Sequence, residues 1–213
     1  MHVFYLHGFA SSAQARKALY FGEQLRLHGI SLRCPDFNAP DFATMTMTRM
    51  LAQLDAEIAA LDEGPIVLIG SSLGAAVAVH TAARLPVRID RLVLLAPALT
   101  FPKDAPKVLG AETVARWRDT GTLEVPHHGL GGTRLVNFTL YEDGLQYDGM
   151  SADVRQPTLI FQGTRDESVD YRVVEEYAAP RANVTLRLLD DDHQLISSLP
   201  RMWSETAAFL GLA

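Results

Sequence analysis

Ser72, Asp166 and His193 are the residues of this sequence whose types and spacing could together activate an oxygen nucleophile. A serine hydroxyl is a poor nucleophile at its own pKa, so acyl transfer needs an imidazole to take its proton and a carboxylate to orient that imidazole. Ser72 stands at the centre of Gly70-Ser71-Ser72-Leu73-Gly74, directly after the apolar run Pro65-Ile66-Val67-Leu68-Ile69. The pattern reads as a strand, a sharp turn and a helix, an arrangement that exposes a serine hydroxyl. Asp166 follows 94 positions later in Gln162-Gly163-Thr164-Arg165-Asp166, and His193 another 27 positions on, in Asp190-Asp191-Asp192-His193. A developing oxyanion needs two backbone N–H donors. Leu73 offers one at a helix N-terminus, and the loop His7-Gly8-Phe9-Ala10 offers the other, from Phe9 or alternatively from Ala10.

Three residues so far apart need elements that deliver them to one place. Short aliphatic runs supply strand candidates at Val3-Phe4-Tyr5-Leu6, Ile30-Ser31-Leu32-Arg33-Cys34, residues 65–69, residues 91–96, Thr158-Leu159-Ile160-Phe161-Gln162 and residues 184–189. Between them, helical spacing of apolar residues predicts helices over residues 12–28, 44–61 (with Asp41 or Thr44 as N-cap), 72–85 and 199–210. Strands alternating with helices argue an α/β protein with a doubly wound, mostly parallel sheet of about six strands. In such a sheet ligands sit at the carboxyl ends of the strands, and Ser72, Asp166 and His193 each follow an expected strand end. The rhythm breaks over about residues 97–156, which carry four prolines, a helix candidate near residues 112–118 and the alternating stretch Leu135-Val136-Asn137-Phe138. An interval of that length reads as a small inserted cap.

Each candidate has a plainer reading. Ser72 could simply cap its helix. Glu167 and Asp170 rival Asp166, Asp170 also being an N-cap candidate for a helix through Val173 and Tyr177. His127 and His128 lie in the inserted stretch, away from any strand end, where solvent-facing or substrate-lining histidines are expected. His7 could contact substrate or hydrogen-bond its own turn. Trp117, Phe138 and Tyr141 could line an acyl pocket or form a small core of the insertion. The run Asp190-Asp191-Asp192 reads as a solvated turn, because hard-cation loops need more widely spaced oxygens.

At 213 residues the chain fits one domain. Its 48% apolar and 21% charged residues are globular values, with no apolar tract long enough to span a bilayer. A net charge of −6 lacks the basic stripe that attracts phosphate backbones, so nucleic acid is not expected as a partner. The start, Met1-His2-Val3-Phe4, has no basic n-region or secretory apolar segment, so the mature chain is expected to begin there and remain cytoplasmic. Cys34 is the sole cysteine, which rules out an internal disulfide and a cysteine-rich metal site.

Leu6-His7-Gly8-Phe9, Gly70-Ser71-Ser72-Leu73-Gly74, Gly163-Thr164-Arg165-Asp166 and Asp192-His193, in that order, resemble the α/β-hydrolase superfamily and within it the small bacterial YqiA-like esterases. The resemblance covers nearly the whole chain and leaves residues 97–156 without a matching motif. It implies hydrolysis of a small-molecule carboxylic ester or thioester through an acyl-enzyme. Ser72 would attack, His193 would serve as base and then acid, Asp166 would orient His193, and Phe9 and Leu73 would hold the oxyanion. No metal or organic cofactor would be needed. The same three residues could also serve a C–C bond, an amide or a peroxide-forming acyl-enzyme, and a non-catalytic binding protein on the hydrolase fold is the other alternative.

Overall fold

A computed structural model describes residues 1–212. Six strands, β1 (His2–Leu6), β2 (Leu32–Arg33), β3 (Ile66–Ser71), β4 (Ile89–Leu95), β7 (Thr158–Gly163) and β8 (Val184–Leu189), form one sheet, while β5 (Thr122–Pro126) and β6 (Thr133–Asn137) make a separate antiparallel hairpin. The order in the large sheet is β2-β1-β3-β4-β7-β8, and every pairing in it is parallel. The chain winds outward from β1 to β2, then returns to build the other way from β3. The strand order therefore reverses between β1 and β3, and it is at the carboxyl ends beside such a reversal that open α/β sheets bind ligands.

Among the described residues eight helices accompany the strands: α1 (Arg16–Leu27), α2 (Met47–Ala59), α3 (Leu73–Arg84), α4 (Ala105–Val108), α5 (Ala111–Thr120), α6 (Thr139–Gly144), α7 (Tyr171–Ala178) and α8 (Leu199–Leu210). Alternation along each strand divides the core in two. Val3, Tyr5, Val67, Ile69, Val93 and Phe161 face α1 and α8, meeting Phe21, Leu25 and Met202. Phe4, Leu6, Leu68, Leu94 and Ile160 face the other way, toward Leu54 of α2, the small residues of α3 and Val174 of α7. Burying each large aliphatic or aromatic side chain contributes about 1.5–3 kcal/mol, so both layers are well anchored.

Several boundaries differ from those the sequence suggests, among them the start of α1, at Arg16 and not residue 12. The strand expected over residues 30–34 shrinks to Leu32–Arg33, an edge strand whose only neighbour is β1. Pro35 follows closely and cannot donate to a ladder. The helix expected from Thr44 begins at Met47, with Thr46 accepting the Arg49 N–H at 3.1 Å as its cap. Asp41 instead caps a 3-10 turn over Phe42–Thr44 through the Ala43 N–H.

Residues 97–156 fold as α4, α5, the hairpin and α6. Trp117, Phe138 and Tyr141 pack on one another: the Trp117 and Phe138 rings lie edge to face at 5.4 Å and Phe138 stacks on Tyr141 at 5.1 Å. The buried Trp117 indole donates to the Val136 carbonyl at 3.0 Å, tying α5 to the hairpin. Asp143 of α6 accepts from the backbone and hydroxyl of Thr48, which pins this segment to α2. Among the described residues no helix is long and apolar enough to cross a membrane.

Candidate active site

The turn after β3 accepts only glycine at its two outer positions. A Cβ on Gly70 would lie 2.5 Å from the Ala75 Cα, and one on Gly74 would run into the carbonyls of Leu6 and His7. The absence of those side chains lets α3 start hard against β1 and β3. Ser72, between them, has φ 53° and ψ −116°, a conformation that costs an L-residue about 1–3 kcal/mol. Its surroundings enforce it. The Ser72 N–H donates to the Leu95 carbonyl at 2.9 Å, and its own carbonyl accepts from Ala75, Ala76 and Ala98.

Above this turn a continuous relay of hydrogen bonds runs from Ser72 to the loop after β7. The Ser72 hydroxyl lies 3.1 Å from His193 Nε2, and His193 Nδ1 lies 2.8 Å from Asp166 Oδ2. An ionised Asp166 only accepts, so Nδ1 carries the proton and Nε2 is left free to accept from Ser72. The Asp166 side chain has no exposed surface, whereas the His193 side chain remains partly exposed. Burial alone would push the Asp166 carboxyl up. The bonds from His193, from the Val169 N–H and from Gln162 outweigh it and hold the carboxyl below the usual carboxylate range.

The rivals for these roles are occupied elsewhere. Asp170 caps α7 through the Arg172 N–H and pairs with Lys107, and Glu167 is exposed. Asp190 pairs with Arg165. Asp191 departs from the solvated turn expected of its run: it is 3% exposed, and it accepts from the Ser198 N–H and hydroxyl and from the Asp192 N–H. The loop before α8 turns this carboxylate inward to satisfy its own donors. Lys17 of α1 is also buried, and burial lowers its ammonium to about 8 against the opposing pull of the Asp166, Asp192 and Asp191 charges. Cys34 is half-buried, and burial pushes its thiol up to about 11.

The loop after β1 lies against the nucleophile turn, since a Cβ on Gly8 would be 3.3 Å from the Ser72 Cβ. His7 is buried and serves this loop: Nδ1 donates to the Gly8 carbonyl at 2.9 Å, and Nε2 accepts the Phe37 N–H at 3.1 Å. The Gly8 carbonyl belongs to the same peptide plane as the Phe9 N–H, so fixing one aims the other. Ala10 is buried with φ 52°, and among the described residues the N–H groups of Phe9, Ala10 and Leu73 find no acceptor in the chain. His127, expected to face solvent or substrate, is instead buried at 2% exposure and hydrogen-bonded to Asn38, while His128 is exposed. Trp117, Phe138 and Tyr141 make the core of the inserted segment described above.

A profile of the Uncharacterised protein family (UPF0227) matches residues 2–210. The chain belongs to UPF0227. This UPF0227 (YqiA-like) chain has the α/β-hydrolase fold. A candidate hydrolase from Agrobacterium vitis S4 is 25% identical, with a TM-score of 0.85 over 97% of this chain and 87% of its own. Est1E from Butyrivibrio proteoclasticus, solved with ferulic acid bound, is 21% identical at a TM-score of 0.82, covering 98% of this chain and 87% of that one. Mouse alpha/beta hydrolase domain-containing protein 10 is 19% identical at 0.81, over all of this chain and 90% of its own. No curated protein matches the chain.

Proposed function

We propose that this protein is a serine hydrolase that cleaves carboxylic esters or thioesters through an acyl-enzyme. Ser72 is the nucleophile, His193 the general base and then acid, and Asp166 the group that orients His193. As Ser72 Oγ bonds to the substrate carbonyl carbon, its proton passes to His193 Nε2 and the carbonyl oxygen becomes an oxyanion. The Phe9 and Leu73 N–H groups receive that oxyanion, with the N-terminal end of α3 adding favourable partial charge. Asp166 steadies the imidazolium without taking its proton. When the tetrahedral intermediate collapses, the bond to the alcohol or thiol breaks and Nε2 protonates the leaving group. Water then enters, gives a proton to Nε2, and releases the carboxylic acid by the same route.

The observation that carries this reading is the relay itself, 3.1 Å from Ser72 to His193 and 2.8 Å from His193 to Asp166, at the carboxyl ends of β3, β7 and β8. Est1E, which shares the fold, binds ferulic acid, a carboxylic acid of the kind that ester hydrolysis by this chain would release. We read residues 97–156 as a cap inserted into a single domain that spans the chain. Ser72→Ala tests the assignment: turnover of short p-nitrophenyl esters should be abolished, and a variant with wild-type turnover would refute it.

A further inference from the structure

The tip of the β5–β6 hairpin, residues 127–132, rests on the loop that follows β1. The N–H groups of His128 and Gly129 both donate to the Ala10 carbonyl, at 2.9 and 3.2 Å. Here backbone meets backbone, for a Cβ on Gly129 would sit 2.7 Å from the carbonyl of Ser11. The His127 ring reaches further in. Its Nδ1 accepts the Leu130 N–H at 2.9 Å, so the ring proton is on Nε2, which donates to Asn38 Oδ1 at 3.1 Å. With its oxygen taken, Asn38 turns its amide N–H groups to the Ser11 carbonyl and to Asp36, each at 2.9 Å. Phe42 packs edge-on against His127 at 4.6 Å and, tilted, against Phe9 at 5.4 Å, linking the two.

Three carbonyls of this loop are thereby held. His7 and the Ser11 N–H hold that of Gly8, the hairpin tip holds that of Ala10, and Asn38, set by His127, holds that of Ser11. Two of the three anchors come from the segment between β4 and β7, directly or through one side chain. The Ala10–Ser11 peptide is fixed at both ends, and its N–H closes on the carbonyl whose plane carries the Phe9 N–H.

We propose that the hairpin tip is a positioning element for the oxyanion donor of Phe9, and that His127 is its principal positioning residue, acting through Asn38. The inserted segment then governs transition-state stabilisation. This inference rests on the serine-hydrolase reading above.

The test uses the full chain with His127→Asn, His127→Gln and Asn38→Asp, measuring kcat and KM for p-nitrophenyl butyrate and the inhibition constant of a trifluoromethyl ketone, which adds to serine as a tetrahedral oxyanion. The asparagine amide reaches the position of Nδ1 and can keep the Leu130 bond, but falls short of Asn38. The glutamine amide reaches the position of Nε2 and can still donate to Asn38. Asn38→Asp can accept from His127 but cannot donate to Ser11. His127→Asn and Asn38→Asp should each lower kcat about tenfold, a fraction of the loss on deleting an oxyanion donor. Ketone affinity should weaken by a similar factor, KM should stay within about twofold, and His127→Gln should restore most of the loss. Wild-type kcat in both disabled variants would overturn the inference, as would an effect confined to KM or an equal loss in the glutamine variant. Failure of the underlying reading looks different: the wild-type chain would itself hydrolyse no ester and bind no ketone, which overturns both.

Discussion

Gln162 donates a side-chain N–H to Asp166 Oδ2 across 3.0 Å, the same oxygen that takes the imidazole N–H of His193. The strand that ends beside the relay thus also braces its acid. Backbone N–H groups of Ser168 and Val169 occupy the other oxygen, both at 2.8 Å, so the buried carboxylate is held from four sides. The same Gln162 nitrogen lies 3.0 Å from the Gly163 carbonyl and 3.2 Å from that of Val169, so its two N–H groups are shared among three acceptors. Gln162→Leu should cost about 1–3 kcal/mol, because buried acceptors lose their donor. Urea denaturation reads this directly, and an unchanged midpoint would deny Gln162 its bracing role.

Asp166→Asn keeps the size of the side chain and its acceptor for Ser168 and Val169. It can present an N–H to His193 Nδ1, which would move the ring proton to Nε2 and leave nothing to accept from Ser72. The expected fall in kcat is about 10⁴-fold with folding retained. A loss of less than about tenfold would show that Asp166 does not set the tautomer.

Gly74→Ala should destabilise the fold by about 3 kcal/mol or more, at the upper end of overpacking costs, since the colliding atoms are the backbone of β1. Thermal and urea unfolding of the purified variant would measure it. Wild-type stability would mean that α3 can move away from β1.

Acid should weaken the fold in two stages. Burial lowers the imidazoles of His7, His80 and His127, even with Asp36 3.8 Å from His7. In the unfolded chain these rings return to about 6.5. Above that pH both states are neutral. As pH falls through it, the unfolded chain binds protons first and stability declines until the folded values are passed. Asp166, whose folded value is depressed, adds a second loss as pH falls from the ordinary carboxylate range through that value. The urea midpoint should therefore fall as pH drops from about 7 to 5, and rise above about pH 8, where the buried Lys17 releases its proton before the unfolded chain does. A midpoint constant from pH 8 to 5 would contradict the neutral, buried state of these histidines.

The sheet and the relay were legible because they depend on local patterns with physical necessity. Aliphatic runs of strand length mark the buried parallel strands, and Gly70 and Gly74 mark a turn where no Cβ fits. Ser72, Asp166 and His193 are visible because each follows a strand end. The environment of His127 was hidden, because its burial depends on where the tip of a hairpin lands and on an asparagine 89 positions away. Asp191 was misread for a related reason: three consecutive aspartates look solvated, and only the path of the chain into α8 turns the middle one inward. The aromatic residues of the inserted segment fit both a pocket and a core by composition, and the Trp117 bond to Val136 appears only once the hairpin is formed.

The most direct test of the central claim is to treat the protein with a fluorophosphonate and locate the adduct by peptide mass spectrometry. One equivalent of label on Ser72, lost in Ser72→Ala and greatly slowed in a His193→Ala variant, is the predicted result. Label on another residue, or none on a folded protein that still hydrolyses esters, would contradict the assignment of Ser72 as the nucleophile.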